Sequence, residues 1–249
     1  MRKNLIFILL LVICLVSCDK HHMTIGYFVC SYHGISELEL KQVDKQIVRV
    51  DYSVGSVGFS DCWKKNVSTF EKLAAKHGDK GFNKKIEWVG PAPTILSYQN
   101  VDFTAINIFT ENDYNSSHLA SSSLNDIVCF LGRSTYPFIK SKYQLNRTDD
   151  IRSRASEIWK KYVAPDLISS SYGFGSYTPF TPVEKLLYQL TSEDLVLIGG
   201  GIAGLLQYRP TLCFLYFTEL PEVPGTYDFR VEFVADDGKT YTGSISMEM

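Results

Sequence analysis

Apolar and polar positions alternate most clearly near the C-terminus, where Tyr227, Phe229, Val231 and Phe233 interleave with Asp228, Arg230 and Glu232. A period of two places each set on its own face of a strand. Asp237-Gly238 then supplies a tight hairpin turn, and Tyr241 and Ile245 continue the apolar face on the return strand. Upstream, Leu212 to Phe217 (LCFLYF) is apolar at successive positions, the pattern of a central strand covered on both sides. Further strands are predicted at TIGYFVCSY from Thr24, QIVRVDYSV from Gln46, Val101 to Thr110 and Asp126 to Leu131, with a polar loop before the last. Helical spacing appears at Val67 to His77, where Val67, Phe70, Leu73 and Ala74 share a face and Gly78 stops the run. It appears again from Thr148 to Ala164, with Asp149 and Asp150 at the N-terminal dipole, Ile151, Ala155, Ile158, Trp159 and Tyr162 inward, and Pro165 ending it. A shorter helix is predicted from Pro182 to Leu190. Together these elements predict a mainly β protein, an immunoglobulin-like β-sandwich with two or three inserted α-helices. It occupies residues 24–249, with a sub-boundary near 91–100.

The N-terminus follows a different pattern. Arg2 and Lys3 precede the uncharged run LIFILLLVICLV at 5–16, a basic region followed by an apolar core of signal-peptide type. About 12 apolar residues are too few to cross a bilayer comfortably. The run closes on Leu15-Val16-Ser17-Cys18, which resembles the lipobox of bacterial lipoproteins. The resemblance implies a signal peptide over 1–17, palmitate-type acylation at Cys18 and a short polar tether over 18–23. Several acyl chains anchor stably where one does so only marginally.

Composition changes the picture by exclusion. With 45% apolar and 21% charged residues among 249, the chain fits neither a disordered nor a multi-span membrane protein. A net charge of −2, two units more acidic once Arg2 and Lys3 leave with the leader, lacks the basic footprint of a nucleic-acid binder. Cys30, Cys62, Cys129 and Cys213 would then lie in a compartment that permits disulfides. Cys129 and Cys213 sit in apolar strand-like runs; Cys30 and Cys62 flank turn-rich sequence and form the first candidate pair.

The lipobox, the β-rich body, SSSLND at 121–126 and PGTYDFRVEFVADDGKTY near the end together resemble uncharacterised lipoproteins of Bacteroidetes-type bacteria. The resemblance implies location and β-sandwich architecture, and brings no catalytic residues.

Candidate chemistry is sparse. Gly199, Gly201 and Gly204 spell GxGxxG after the strand-like Leu195 to Ile198, the signature of a phosphate-binding turn. That turn normally opens a long helix early in a βαβ domain, whereas Pro210 closes this one within about two turns. The histidines form no HExxH and no paired CxxC accompanies them, so neither a metal nor a cofactor is expected. Asp113, Asn115 and Ser117 alternate like a calcium loop, but His118 and Leu124 stand where glycine and glutamate belong. No GxSxG occurs, and no SxxK lies in the chain that would remain after the leader. Tyr172, Phe174, Tyr177 and Phe180 in a glycine-rich loop are the candidate ligand contacts, suited to stacking on a glycan or filling a pocket on an envelope protein. The reading expected from these features is a non-catalytic, lipid-anchored envelope protein of the outer membrane, on its periplasmic or surface face, with a binding or structural role. The alternatives are an extracytoplasmic hydrolase with a site assembled from distant residues, and a nucleotide or flavin binder through Gly199 to Gly204.

Overall fold

The computed structural model describes residues 26–62, 64–82, 96–144, 146–165, 177–202 and 210–249. The chain opens with a long hairpin, β1 (Val29–Asp44) and β2 (Ile47–Asp61), whose turn is held by the Lys45 amide donating to the Asp44 carboxylate at 2.8 Å. The two separate N-terminal strands expected from sequence are thus the arms of one ribbon, lengthened across three register shifts. Helix α1 (Val67–His77) follows, then β3 (Leu96–Gln99), β4 (Phe103–Thr110), β5 (Val128–Ser134) and α2 (Tyr136–Lys140). The short strands β6 (Asn146–Arg147) and β7 (Tyr177–Thr178) pair with each other around α3 (Thr148–Arg154) and α4 (Glu157–Tyr162). The remaining strands are β8 (Thr181–Leu186), β9 (Gly201–Ile202), β10 (Thr211–Phe217), β11 (Thr226–Ala235) and β12 (Thr240–Glu248).

The strands form a seven-stranded sheet in the order β8-β5-β10-β2-β1-β3-β9 and a three-stranded sheet in the order β12-β11-β4. Pairing is antiparallel throughout both, except that β1 and β3 run parallel. The two sheets enclose one core, in which Val48, Val50, Phe130, Leu215 and Phe217 meet Phe103, Ile106, Phe229, Val231 and Phe233. On the other face of the larger sheet a second core joins Tyr32, Leu131 and Phe214 to Phe70, Ala74, Phe138 and Trp159 of the helices. The protein is therefore mainly β, two sheets face to face, with helices covering the outer side of the larger one. Strand β10 lies between β5 and β2 and is buried on both faces, as its unbroken apolar run predicts. The closing hairpin pairs Phe229 with Ile245 and Phe233 with Tyr241, and Gly238 takes φ 86° at its turn.

Two predicted helices differ. The run from Thr148 to Ala164 breaks at Ala155, which is extended (φ −79°, ψ 148°), and restarts at Ser156, whose hydroxyl accepts the Trp159 amide at 3.1 Å. The serine cap re-aims the second segment so that Trp159 is fully buried and donates its indole N–H to the Gly132 carbonyl at 2.8 Å. Residues 182–190 are strand β8 followed by a 3-10 turn at Leu187–Gln189. The apolar spacing there serves two elements: Val183 and Leu187 both enter the core between the sheets. Pro182 is tolerated because β8 is an edge strand, where a missing N–H breaks no ladder on the open side.

Candidate functional site

Chemistry-bearing side chains gather where the C-terminus of α1 meets the start of β1. Helix α1 ends on Gly78 at φ 71°, whose αL turn returns the Asp79 amide to the Ala74 carbonyl at 2.8 Å. This cap swings Asp79 beneath β1. There its carboxylate accepts the Phe28 amide at 2.9 Å, the Val29 amide at 2.8 Å and the Tyr143 hydroxyl at 2.8 Å. Asp79 is fully buried, and desolvation outweighs these hydrogen bonds and raises its carboxyl above the usual range. Tyr143 is pushed up in turn, first by burial and then by the Asp79 charge.

Two residues earlier, His77 lies between Tyr32 of β1 and Asp102 of the β3–β4 connection. Its Nδ1 is 3.0 Å from the Tyr32 hydroxyl and its Nε2 is 2.9 Å from the Asp102 carboxylate. Burial raises Tyr32 well above an ordinary phenol, so its hydroxyl stays protonated beside the imidazole. Lys76 completes the line, bridging Asp102 and Asp236 at 2.5 Å each. Burial alone would raise the Asp102 carboxyl, but the hydrogen bonds and charges of His77 and Lys76 prevail and hold it below the usual range. The order Tyr–His–Asp resembles a general-base relay, yet Tyr32 has no exposed surface and His77 is only 5% exposed. A relay must reach a substrate proton; this one ends in the core.

A second buried histidine sits on the opposite face of β1. His33 Nδ1 is 2.8 Å from the Ser97 hydroxyl, which also accepts from Ser31, and Nε2 is 2.8 Å from the Tyr52 hydroxyl, whose ring stacks on the imidazole. All its partners are neutral, and burial lowers its pKa to about 4. Ser97 is 2% exposed, so the Ser–His contact also lacks access to solvent.

No protein-family model, curated protein or solved structure matches this chain. The site therefore rests on its own geometry.

An open cleft of about 360 Å³ lies between α3 and the edge strand β8, lined by Asp150, Ile151, Arg154, Ala155, residues 181–185 and Asp194. Its size suits a small ligand. Much of its charge is already engaged: Lys185 pairs with Asp194 at 2.8 Å, and Glu184 accepts the Ser156 amide at 3.2 Å. Among the described residues no group of three or more potential metal ligands converges. In the calcium-like loop, Asp113 takes the Ala120 amide, while the Asn115 oxygen takes amides of Ser117 and His118.

Of the residues singled out from sequence, Cys18, Tyr172 and Phe174 lie outside the described residues, and Tyr177 belongs to β7. Phe180 is 3% exposed beneath the Arg133 guanidinium, 4.9 Å from its ring, so it packs inward and is no surface contact. Gly199 and Gly200 take positive φ; an added Cβ would meet the Thr211 carbonyl at 2.7 Å and the Tyr98 ring at 2.4 Å. Both glycines thus permit close packing, and Gly201 and Ile202 continue as strand β9 beside β3. Gly204 lies outside the described residues. Cys30 and Cys62 are brought together as free thiols at the open end of the β1–β2 ribbon. The histidine networks escaped sequence reading because their members come from different elements. The single local signal was the Gly78 stop after α1.

Proposed function

We propose that this chain is a lipid-anchored, non-catalytic component of the cell envelope with a binding or structural role. The observation that carries the non-catalytic half is that the acid–base constellations around His77 and His33 are closed to solvent and satisfied by internal partners, while at the surface His118 is held between Asn115 at 2.9 Å and the exposed Asp126 at 3.0 Å. Such networks rigidify a core. The surface offers a different feature. Leu119, Leu220 and Val223 are 58%, 49% and 67% exposed on two loops tied together by Tyr114, Ser116 and Glu222. Exposed apolar side chains on fixed loops favour protein or glycan contact.

The anchoring half rests on Leu15-Val16-Ser17-Cys18. No described helix is long and apolar enough to cross a membrane. The test is membrane fractionation with palmitate labelling of the native chain and of Cys18→Ala. The native chain is expected in the membrane fraction with label, and Cys18→Ala in the soluble fraction without it. Unchanged fractionation of the variant would defeat the proposal.

A further inference from the structure

Cys30 is the second residue of β1 and Cys62 directly follows the end of β2. The register Tyr32 to Ser60 and Ser31 to Asp61 sets the two cysteines opposite each other at the next step. Backbone geometry agrees, since the Cys62 amide donates to the Cys30 carbonyl at 3.1 Å. Hydrogen-bonded antiparallel partners hold their Cα atoms about 5.5 Å apart, within the span of about 4.4–6.8 Å that a disulfide bridges. Neither of the other two cysteines in the described residues has such a partner: Cys129 faces Tyr216 and Leu186, and Cys213 faces Val50.

We propose that Cys30 and Cys62 form a redox-modification site, which a disulfide donor closes into a cross-strand disulfide with Cys62 as the entering thiol. The site is asymmetric. Cys30 is 3% exposed and packed under β1, whereas Cys62 is half-buried and open to a small reagent. The Cys30 thiol interacts with Cys62 and stabilises its thiolate, holding Cys62 below an ordinary cysteine. Cys30 itself is raised by that same contact, by burial and by the nearby Asp79 charge. Thiolate, not thiol, is the nucleophile.

The Cys62 thiolate attacks one sulfur of a donor RS–SR. The donor's S–S bond breaks, one RS⁻ departs and takes a proton as RSH, and Cys62 carries the mixed disulfide. Cys30 then loses its proton and attacks the Cys62 sulfur, expelling the second RS⁻, which is protonated in turn. Two thiols are oxidised, the donor is reduced to two RSH, and the open end of the ribbon is clamped beside the Asp79 carboxylate. The inference is independent of the lipid anchor.

The full chain, equilibrated with oxidised glutathione, alkylated and mapped by mass spectrometry without reduction, provides the test. A peptide linking Cys30 to Cys62 is expected, with loss of alkylation at those two positions alone and recovery after dithiothreitol. Cys30→Ala should accumulate glutathione on Cys62, and Cys62→Ala should leave Cys30 unmodified. Full alkylation of both cysteines in the glutathione-treated native chain would overturn the proposal. So would a link to Cys129 or Cys213. Glutathione found on Cys30 but not Cys62 would overturn the assigned order of attack. The native-chain map needs no variant to fold.

Discussion

The two faces of the seven-stranded sheet are built from different materials. The face turned to β4, β11 and β12 is chiefly aliphatic and aromatic, and where β1 carries Ser31 and His33 toward that side the hydrogen-bond partners are all neutral. The face turned to the helices holds the charges: Asp79 below the start of β1, and the line from Tyr32 through His77 and Asp102 to Lys76. A sheet-on-sheet contact is two-dimensional and periodic, so alternating apolar residues fill it. Helices laid across a sheet leave their termini and connections to be satisfied, and polar side chains supply the partners. His77 and Asp79 stand at such a terminus.

If the inter-sheet core is held by packing, Phe233→Ala should give the largest single effect. Phe233 is fully buried edge-to-face against Phe103, at 5.1 Å between centroids. Its truncation is expected to cost about 3–5 kcal/mol, measured by urea unfolding; a cost under about 1 kcal/mol would break the contrast between the two faces.

The neutral partners of His33 make a prediction of comparable size in pH. Its folded pKa is lowered to about 4 from an ordinary value of 6.5. As pH falls, the unfolded chain takes the proton first, so this contribution is present above about 6.5 and is lost on the way down to 4. Its amplitude is about 3 kcal/mol. Unfolding free energies at pH 7.5 and 4.5 should therefore fall further apart in the native chain than in His33→Gln. An equal or larger drop in the variant would remove the argument.

The smallest effect sharpens the helical side. Ser156→Ala deletes the cap that separates α3 from α4 and should cost about 1 kcal/mol, with Trp159 fluorescence shifting as its ring loses its fixed seat. An unchanged melting temperature would mean that the burial of Trp159, rather than the cap, sets the break.

Legibility in the sequence follows the same division. The hairpin of β11 and β12, the double burial of β10 and the bounds of α1 could all be read locally, because period, Asp-Gly turn and glycine stop agree there. The helical break at Ala155 could not, since Ile151, Ile158 and Trp159 satisfy one continuous face on paper; only the seat for Trp159 on the sheet decides. Val183 and Leu187 misled for the opposite reason, falling at helical spacing while serving a strand and a turn. Of the site, Cys30 and Cys62 were recognisable as a pair by their turn-rich flanks. His77, Asp102 and Tyr32 were not, since they are joined only by the packing of α1 against β1.

The account holds that the charged network serves the fold and not a reaction. Groups assembled for catalysis usually cost stability, and their removal often restores it, whereas removing one partner of a buried ion pair that supports the fold destabilises by about 3–5 kcal/mol. Urea unfolding of Asp102→Asn beside the native chain at neutral pH measures this directly. The account predicts a lower midpoint with an unchanged slope; a midpoint equal to or above that of the native chain would contradict it.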